Sequence, residues 1–445
     1  MKGGQDYASK ILGNDFIDAE LYDRFNVKRG LRNADGTGVL VGLTRIGDVH
    51  GYIMDEGEKV AVDGKLYYRG IDVEDLVAAA AAEGRYGFEE AVYLLMFGLL
   101  PNKEQLETFC TLLGNCRTLP PNFVEDSIMK APSRDMMNSL GRSVLTLYSY
   151  DEDPDNLSPE NVLRQCLELI ARLPTIVAYS YMAKKHYYDR ESLIFHLPES
   201  TCQSAESILS LIRPDQKYTR LEAEILDLAL TLHAEHGGGN NSTFAVHLVS
   251  SADTDTYAAI TAGLNSLKGF KHGGANVKVM GMMEDIKQHV THWDSEGEVA
   301  DYLEKILLGK AYDGSGLIYG QGHAVYTKSD PRAVLLRNKA ALLAVEKQLT
   351  DEFDLYHLIE RLVPTVFKWV KGSDKEICTN VDFYSGFVYK MLGIPPEIYT
   401  SLFAVSRVAG WCAHHMEELI TGGRIIRPAY KCVQTRLPYK LLAER

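Results

Sequence analysis

Several signatures are missing from this chain of 445 residues, and each absence removes a class of function. No CxxC occurs among the seven cysteines, Cys110, Cys116, Cys166, Cys202, Cys378, Cys412 and Cys432; their number is odd and their spacing irregular. A disulfide framework or a cysteine zinc site is therefore not expected, and no other metal site is predicted. A reducing compartment fits the thiols. No run of about 18 apolar residues exists, so no membrane span is predicted. The segment from Met1 to Asp23 is polar and acid-bearing, without the apolar centre of a secretion signal, and the expected location is cytoplasmic. Basic charge is short: Lys and Arg number 47 against 60 Asp and Glu, a net −13. Nucleic-acid binding as the main task is disfavoured, because phosphate contacts need a basic surface. A local cluster of Arg and His still suits small anions. Neither GxGxxG nor a GxxxxGKS/T loop is present, which argues against a Rossmann or P-loop nucleotide site. No Gly-x-Ser-x-Gly elbow appears, so covalent catalysis is not indicated.

What is present is a large apolar fraction, 46%, with 24% charged residues, the balance of a globular protein with a sizeable core. The length predicts two or three domains, or one large core with an inserted piece. Helical spacing dominates. Leu221, Ile225, Leu228 and Leu232 fall on one helical face. Helices are predicted over Phe88–Phe97, Tyr257–Leu267, Val299–Leu308, Ala333–Leu349 and Tyr356–Val370, and over Pro396–Leu419 in one or two pieces. Strand patterns are confined to Val39–Arg45 and Val60–Tyr68, the latter interrupted at Asp63-Gly64. The fold class is mainly α with a small β element near the start.

Three distant segments each set one titratable residue in a glycine-rich or polar frame. They are Lys271-His272-Gly273-Gly274-Ala275-Asn276, Gly320-Gln321-Gly322-His323-Ala324-Val325 and Asn380-Val381-Asp382-Phe383-Tyr384-Ser385-Gly386. Two histidines and a carboxylate can remove and supply protons in one reaction. Other readings compete. Asp382 also suits a helix N-cap. His233 and His236, three apart near a helix end, do not match the zincin spacing and also fit a capping role. The glycines of 237–239 fit an ordinary C-cap, and those of 314–322 a surface loop. Pro331 suits a first helical turn, from which Arg332 would point back at the His323 loop, or simply into solvent. Arg407 sits in an apolar helix and wants an anionic partner, since an unpaired buried charge is costly. His414-His415 has no partner pattern and reads as structural.

In this order the segments resemble the citrate synthase family, which is shared with 2-methylcitrate synthase. The matching words are Lys65-Leu66-Tyr67-Tyr68-Arg69-Gly70-Ile71-Asp72, Phe88 to Leu95 with Phe97-Gly98-x-Leu100-Pro101, His233-x-x-His236, and Leu264 to Gly269. They continue with His272 to Asn276, Gly322 to Tyr326, Asp330-Pro331-Arg332, Asn380-Val381-Asp382, Ser406-Arg407 and Arg427-Pro428. The match runs from about residue 38 to about 430. Lys271 and Gly237-Gly238-Gly239 depart from the usual pattern.

The resemblance implies an all-helical homodimer. One domain would comprise residues 1–272 with 387–445, interrupted by a smaller one over 273–386, with the site in the cleft between them. It implies a Si-type acyltransferase of the tricarboxylic acid cycle, with oxaloacetate and acetyl-CoA as substrates and no cofactor. Asp382 would be the base toward the acetyl methyl and His272 the donor to the thioester oxygen, while His323 would polarise the oxaloacetate carbonyl. His236, Arg332 and Arg407 would hold oxaloacetate, with Arg427 reaching in from the partner subunit. Ile318, Tyr319, Gly320, Gln321 and Gly322 would line the CoA site. The types make chemical sense: a carboxylate alone cannot ionise a thioester methyl, so a donor must neutralise charge as it develops. Forked guanidiniums suit a dianion better than lysine. The alternatives are propionyl-CoA as donor, or a silent helical scaffold that only binds CoA.

Overall fold

The computed structural model describes residues 16–33, 35–55, 58–372 and 376–444. The chain falls into two compact units, Met1–Leu43 and Thr44–Arg445. In the first, α1 (Ala19–Arg24) is capped by Asp18, and Arg32 pairs with Gly38 in an isolated bridge.

The predicted strand Val39–Arg45 does not form. Leu40 and Leu43 stay exposed, so the alternating pattern has no surface to bury and no ladder partner among the described residues. The strands lie just beyond: β1 (Gly47–Asp55), β2 (Glu58–Tyr68) and β3 (Ile71–Asp72) make an antiparallel meander. Asp63-Gly64 does not break β2 as expected. The irregularity sits opposite, as a register shift between His50 and Tyr52, and the Gly64 N–H donates to Ser329 Oγ at 3.1 Å.

The rest is helical: α2 (Val73–Ala82), α3 (Phe88–Phe97), α4 (Lys103–Cys116), α5 (Met136–Leu147), α6 (Pro159–Lys184), α7 (Ser204–Ile212), α8 (Arg220–His233) and α9 (Asn241–Ser250). Then follow α10 (Thr256–Leu267), α11 (Ala275–His289), α12 (Glu296–Leu307), α13 (Pro331–Glu346), α14 (Thr350–Lys371), α15 (Val381–Met391) and α16 (Tyr399–Thr421). The Pro396 segment does come in two pieces, a short 3₁₀ turn and then α16. Among the described residues no helix is long and apolar enough to cross a membrane.

Caps set the starts that matter. Thr219 and Glu222 close a reciprocal box on α8. Asp330 caps α13 with Pro331 in its first turn. Asp227 of α8 accepts from the Gly87 and Phe88 N–H groups and so caps α3 from a distance.

α16 is buried on nearly every side and packs against α6, itself almost wholly buried. Such all-round burial normally excludes charge. Yet Arg407, Gly410, His414 and Glu418 recur along one stripe of α16. Gly410 is where α16 meets the end of α8: its N–H donates to Ala234 O at 3.1 Å. A Cβ there would lie 2.5 Å from Ala234 O and 2.2 Å from Glu235 Oε2. Gly410→Ala would gain about 1 kcal/mol of helix propensity. The clash is with backbone and a buried carboxylate, and overpacking of this kind costs about 1–3 kcal/mol. The variant should therefore unfold at lower urea concentration than wild type, and an unchanged or raised midpoint would show that the contact is not tight.

Candidate active site

The end of α8 is tied down by Tyr68 of β2, whose hydroxyl donates to Thr231 O at 2.8 Å and accepts from Glu235 N–H at 3.3 Å. His233 Nδ1–H donates to Ala229 O at 2.6 Å, so its buried Nε2 carries a lone pair, and it has no partner among the described residues. His236 is also buried. Its ring stands edge-on to His323, 5.1 Å between centroids at 87°, and its Nε2 has no hydrogen-bond partner among the described residues. Burial first, then the charges of Arg332, His323 and Arg407, hold His236 well below the usual imidazole range. It is neutral at pH 7. Capping of α8 is not its role.

His323 hangs from the loop before α13. Its Nδ1 accepts from the N–H groups of Val325 and Tyr326, both at 3.1 Å. A nitrogen that accepts carries no proton, so the ring proton of neutral His323 lies on Nε2. The ring stacks on Tyr326 at 4.7 Å and 29°.

Arg332 does not simply point back at this loop. It forks onto its own helix cap: Nε donates to Asp330 Oδ1 at 3.0 Å and Nη2 to Oδ2 at 2.7 Å, all buried. The guanidinium still lies 5.8 Å from the Tyr326 ring. Asp330 holds its pKa above the ordinary arginine value against burial.

Arg407 differs. It is fully buried, its Nε donates to His233 O at 2.6 Å, and its Cζ lies 4.6 Å over the Phe403 ring. Both Nη1 and Nη2 are buried with no hydrogen-bond partner among the described residues. Burial lowers its pKa to about 10, with Glu235 opposing, so the cation persists at neutral pH. An open guanidinium fork in a buried site is a receptor for a carboxylate.

His272, just before α11, places Nε2 at 3.1 Å from Ser242 Oγ, which itself lies 2.8 Å from Asn240 Oδ1. While Ser242 donates to Asn240, His272 donates from Nε2 and shows a bare Nδ1. Rotating one hydroxyl reverses this and leaves Nδ1–H as the donor. Burial, then Arg407, pushes the ring down to about 4.

Asp382 is the second residue of α15, and the cap is Asn380, which accepts from Asp382 N–H at 3.0 Å. The capping alternative for Asp382 thus falls away. Burial raises its carboxyl to about 6; Arg332 and Arg407 pull it down and Asp330 pushes it up. Arg407 thus acts on Asp382, His236 and His272 at once, and Arg332 on Asp382 and His236. These groups surround one cationic centre.

The loop of Ile318 to Gly322 is laced to the approach of α15. Asn380 N–H donates to Gly320 O at 2.9 Å, Gly322 N–H to Cys378 O at 2.7 Å, and Asn380 Nδ2 to Gly322 O at 2.8 Å. Gly320 has φ +78°, and a Cβ there would meet Phe383 at 2.8 Å, so only glycine fits. Ile318 is buried in the core, the Tyr319 hydroxyl is taken by Asp313 at 2.6 Å, and Gln321 Nε2 is buried without a partner among the described residues. Arg427 is not brought to this group; it is exposed on the segment after α16.

Sequence reasoning missed Tyr68, Ser242, Asp330 and Glu235. The Asp-Pro pair before Arg332 and the Ser two residues after Asn240 were available cap signals. His414-His415, read as structural for want of a partner pattern, is buried and bonded: His414 Nε2 meets Glu235 Oε1 at 3.0 Å and His415 Nδ1 meets Ser250 Oγ at 2.7 Å. Among the described residues no group of three or more His, Cys, Asp or Glu is placed to hold a metal ion.

A model of the family described as "Citrate synthase, C-terminal domain" matches residues 34–429. A citrate synthase of Haloferax volcanii is 31% identical over 407 residues, covering 90% of this chain and 94% of that protein. A 2-methylcitrate synthase of Corynebacterium glutamicum is 33% identical, covering 83% of this chain and 90% of its own length. The citrate synthase of Thermoplasma acidophilum, solved as a ternary complex with carboxymethyl coenzyme A and oxaloacetate, superposes with a TM-score of 0.76 at 26% identity, covering 94% of this chain and 99% of that one.

The neutral histidines set a pH dependence. His233 (about 3), His236 (well below normal), His272 (about 4) and His415 (about 4) are all depressed by burial. Unfolded, each binds a proton near about pH 6.5. Below that pH the unfolded chain holds more protons at these four sites, so stability falls on acidification. Asp382 and Asp227, raised by burial, act oppositely, because the folded form protonates first. Four sites against two leave a net loss. The melting temperature without ligand should drop from about pH 6.5 to about pH 5; a flat or rising profile would contradict the assigned charge states.

Proposed function

The chain belongs to the citrate synthase family, and we propose that it condenses the acetyl group of acetyl-CoA with oxaloacetate and hydrolyses the resulting thioester to citrate and CoA. Its relatives make it an enzyme that transfers an acyl group. The observation that carries the substrate reading is the open, buried fork of Arg407 among two neutral imidazoles and a carboxyl raised to about 6.

In this reading one carboxylate of oxaloacetate accepts hydrogen bonds from Nη1 and Nη2 of Arg407, with Arg332 and His236 Nε2 at its sides. His323 Nε2–H donates to the ketone oxygen. Asp382 removes a methyl proton from acetyl-CoA, and its raised pKa brings its basicity closer to the task. His272, neutral, hydrogen-bonds the thioester oxygen as charge builds there, and a neutral donor best matches an enol. The new carbon–carbon bond turns the ketone into an alkoxide, which takes up a proton beside His323. Water then cleaves the thioester and CoA leaves as the thiol. The CoA would lie along Ile318 to Gly322. Residues 273–386 would form a smaller domain that closes over the site and excludes water until the bond has formed. Arg427 would enter from a second copy of the chain, completing the carboxylate clamp. Nothing in this scheme needs a cofactor, and it runs in the cytoplasm as a tricarboxylic acid cycle step.

A second reading, propionyl-CoA as donor, is favoured by the similarity to a 2-methylcitrate synthase at 33% identity. The two donors differ by one methylene, which a pocket separates by only about 1–3 kcal/mol.

Thiol release from acetyl-CoA and oxaloacetate tests both. Wild type should turn over, and kcat/KM should rise with pH through about 6 as Asp382 ionises. Asp382→Asn should lower kcat by about 100-fold or more. Faster turnover of propionyl-CoA would select the second reading. No thiol from either donor, or a wild-type rate in Asp382→Asn, would overturn the proposal.

A further inference from the structure

Behind Arg407 runs a buried polar chain that none of the steps above uses. Glu235, fully buried, sits at the end of α8. Its Oε1 accepts from Gly237 N–H at 2.5 Å and meets His414 Nε2 at 3.0 Å, while Oε2 has no partner among the described residues. His414 Nδ1 lies 3.1 Å from His247 Nε2 of α9, and His247 Nδ1 lies 3.0 Å from Glu418 Oε2. The order is Glu235, His414, His247, Glu418.

Counting protons is decisive. The three contacts need one hydrogen each, and the carboxylates bring none. Two neutral imidazoles bring two. All three bonds close at once only when a third proton is bound, and the chain then carries two carboxylates and one imidazolium, a net charge of −1. Arg407, whose chief opposing charge is Glu235, supplies the balancing +1. Yet Glu235 forms no hydrogen bond to the fork: Oε1 is engaged by His414 and by the Gly237 N–H, and Oε2 lies against Gly410.

We propose that Glu235, held by the His414–His247–Glu418 chain, is a positioning residue that keeps Arg407 ionised and its fork unpaired until a dicarboxylate arrives. The idea rests on the reading of Arg407 as an oxaloacetate ligand. A carboxylate free to swing would bond the fork itself and compete with substrate. Held back, it offsets the charge without closing the site. Gly410 leaves the room that this requires.

Other groups face the chain. Thr44 Oγ1 lies 3.5 Å and Glu417 Oε2 4.0 Å from His414 Nδ1, and Glu417 Oε1 accepts from Arg45 N–H. Arg69 feels the charge of Glu417, and His247 acts on His415. Burial and His414 weaken proton binding at His247, while Glu418 and Glu417 strengthen it. The third proton is thus held loosely.

Oxaloacetate titration by calorimetry, with steady-state kinetics, tests this on the full-length protein. In His414→Gln and the more peripheral His247→Gln, KM for oxaloacetate should rise roughly tenfold or more, the scale of one charged hydrogen bond. The kcat and the KM for the acyl-CoA should move less than about twofold. Adding Glu235→Gln to His414→Gln removes the competing charge and should return KM toward wild type. In wild type alone, KM for oxaloacetate should climb on going from acid to neutral pH, because burial and His414 weaken proton binding at His247. Unchanged KM in both single variants, or a fall in kcat at constant KM, overturns the positioning role. Should wild type itself bind no oxaloacetate, the reading of Arg407 fails first, and that outcome is separable from the other two.

Discussion

One buried guanidinium governs the arrangement. Arg407 lies in a helix whose other faces are core, and its desolvation would cost several kcal/mol if nothing answered it. Three things answer it in part: the carbonyl of His233, the face of Phe403 and the nearby charge of Glu235. None occupies the two outer nitrogens. The remaining deficit can be met only by an acceptor from outside, and a carboxylate meets it best. The fold thus stores, in one residue, a preference for an anionic guest. The surrounding details serve that residue: Tyr68 fixes the turn that supplies the carbonyl, and Gly410 admits the carboxylate.

The same cation sorts the protonation states around it. Burial favours the neutral form of every group, which depresses imidazoles and raises carboxyls. A positive charge then depresses imidazoles further and lowers the carboxyl. For His236 and His272 the two effects add, and both rings stay neutral. For Asp382 they oppose, and the outcome is about 6, high for a carboxyl but still ionised at neutral pH. Neutral imidazoles and an ionised carboxyl thus arise from one electrostatic environment.

Much of this was legible in the residues. Helical spacing located α3, α8, α10, α12 to α14 and α16 because their apolar faces repeat at the helical period. The frames around His272, His323 and Asp382 were legible because glycine and Asn mark places where the backbone must turn or cap. The first strand was misplaced, since Val39–Arg45 alternates without a surface to cover, while β1 carries the weaker pattern Gly-Asp-Val-His. Arg332 was open between the loop and solvent, because the Asp-Pro cap signal does not say that Asp330 also forks the guanidinium. Glu235 and His414 could not be found by spacing at all. They are 179 residues apart, and only the close approach of two helices at a glycine puts them together.

The lacing of residues 320–322 to 378–380 ties together the segments of His323 and Asp382, which are far apart in sequence. Gly320 O and Gly322 O both accept from Asn380, whose own side-chain oxygen starts α15 two residues from Asp382. One residue therefore sets the entry of the helix that carries Asp382 and the exit of the loop that carries His323. The spacing between Asp382 and His323 is then set by bonds to backbone carbonyls, one from the Asn380 N–H and one from its side chain. A side chain at Gly320 would separate the two segments against Phe383 and lengthen that spacing without touching either titratable group. Positional precision of this kind matters to any proton transfer between the two segments, because misplacement by about 1 Å can cost about 100-fold in rate.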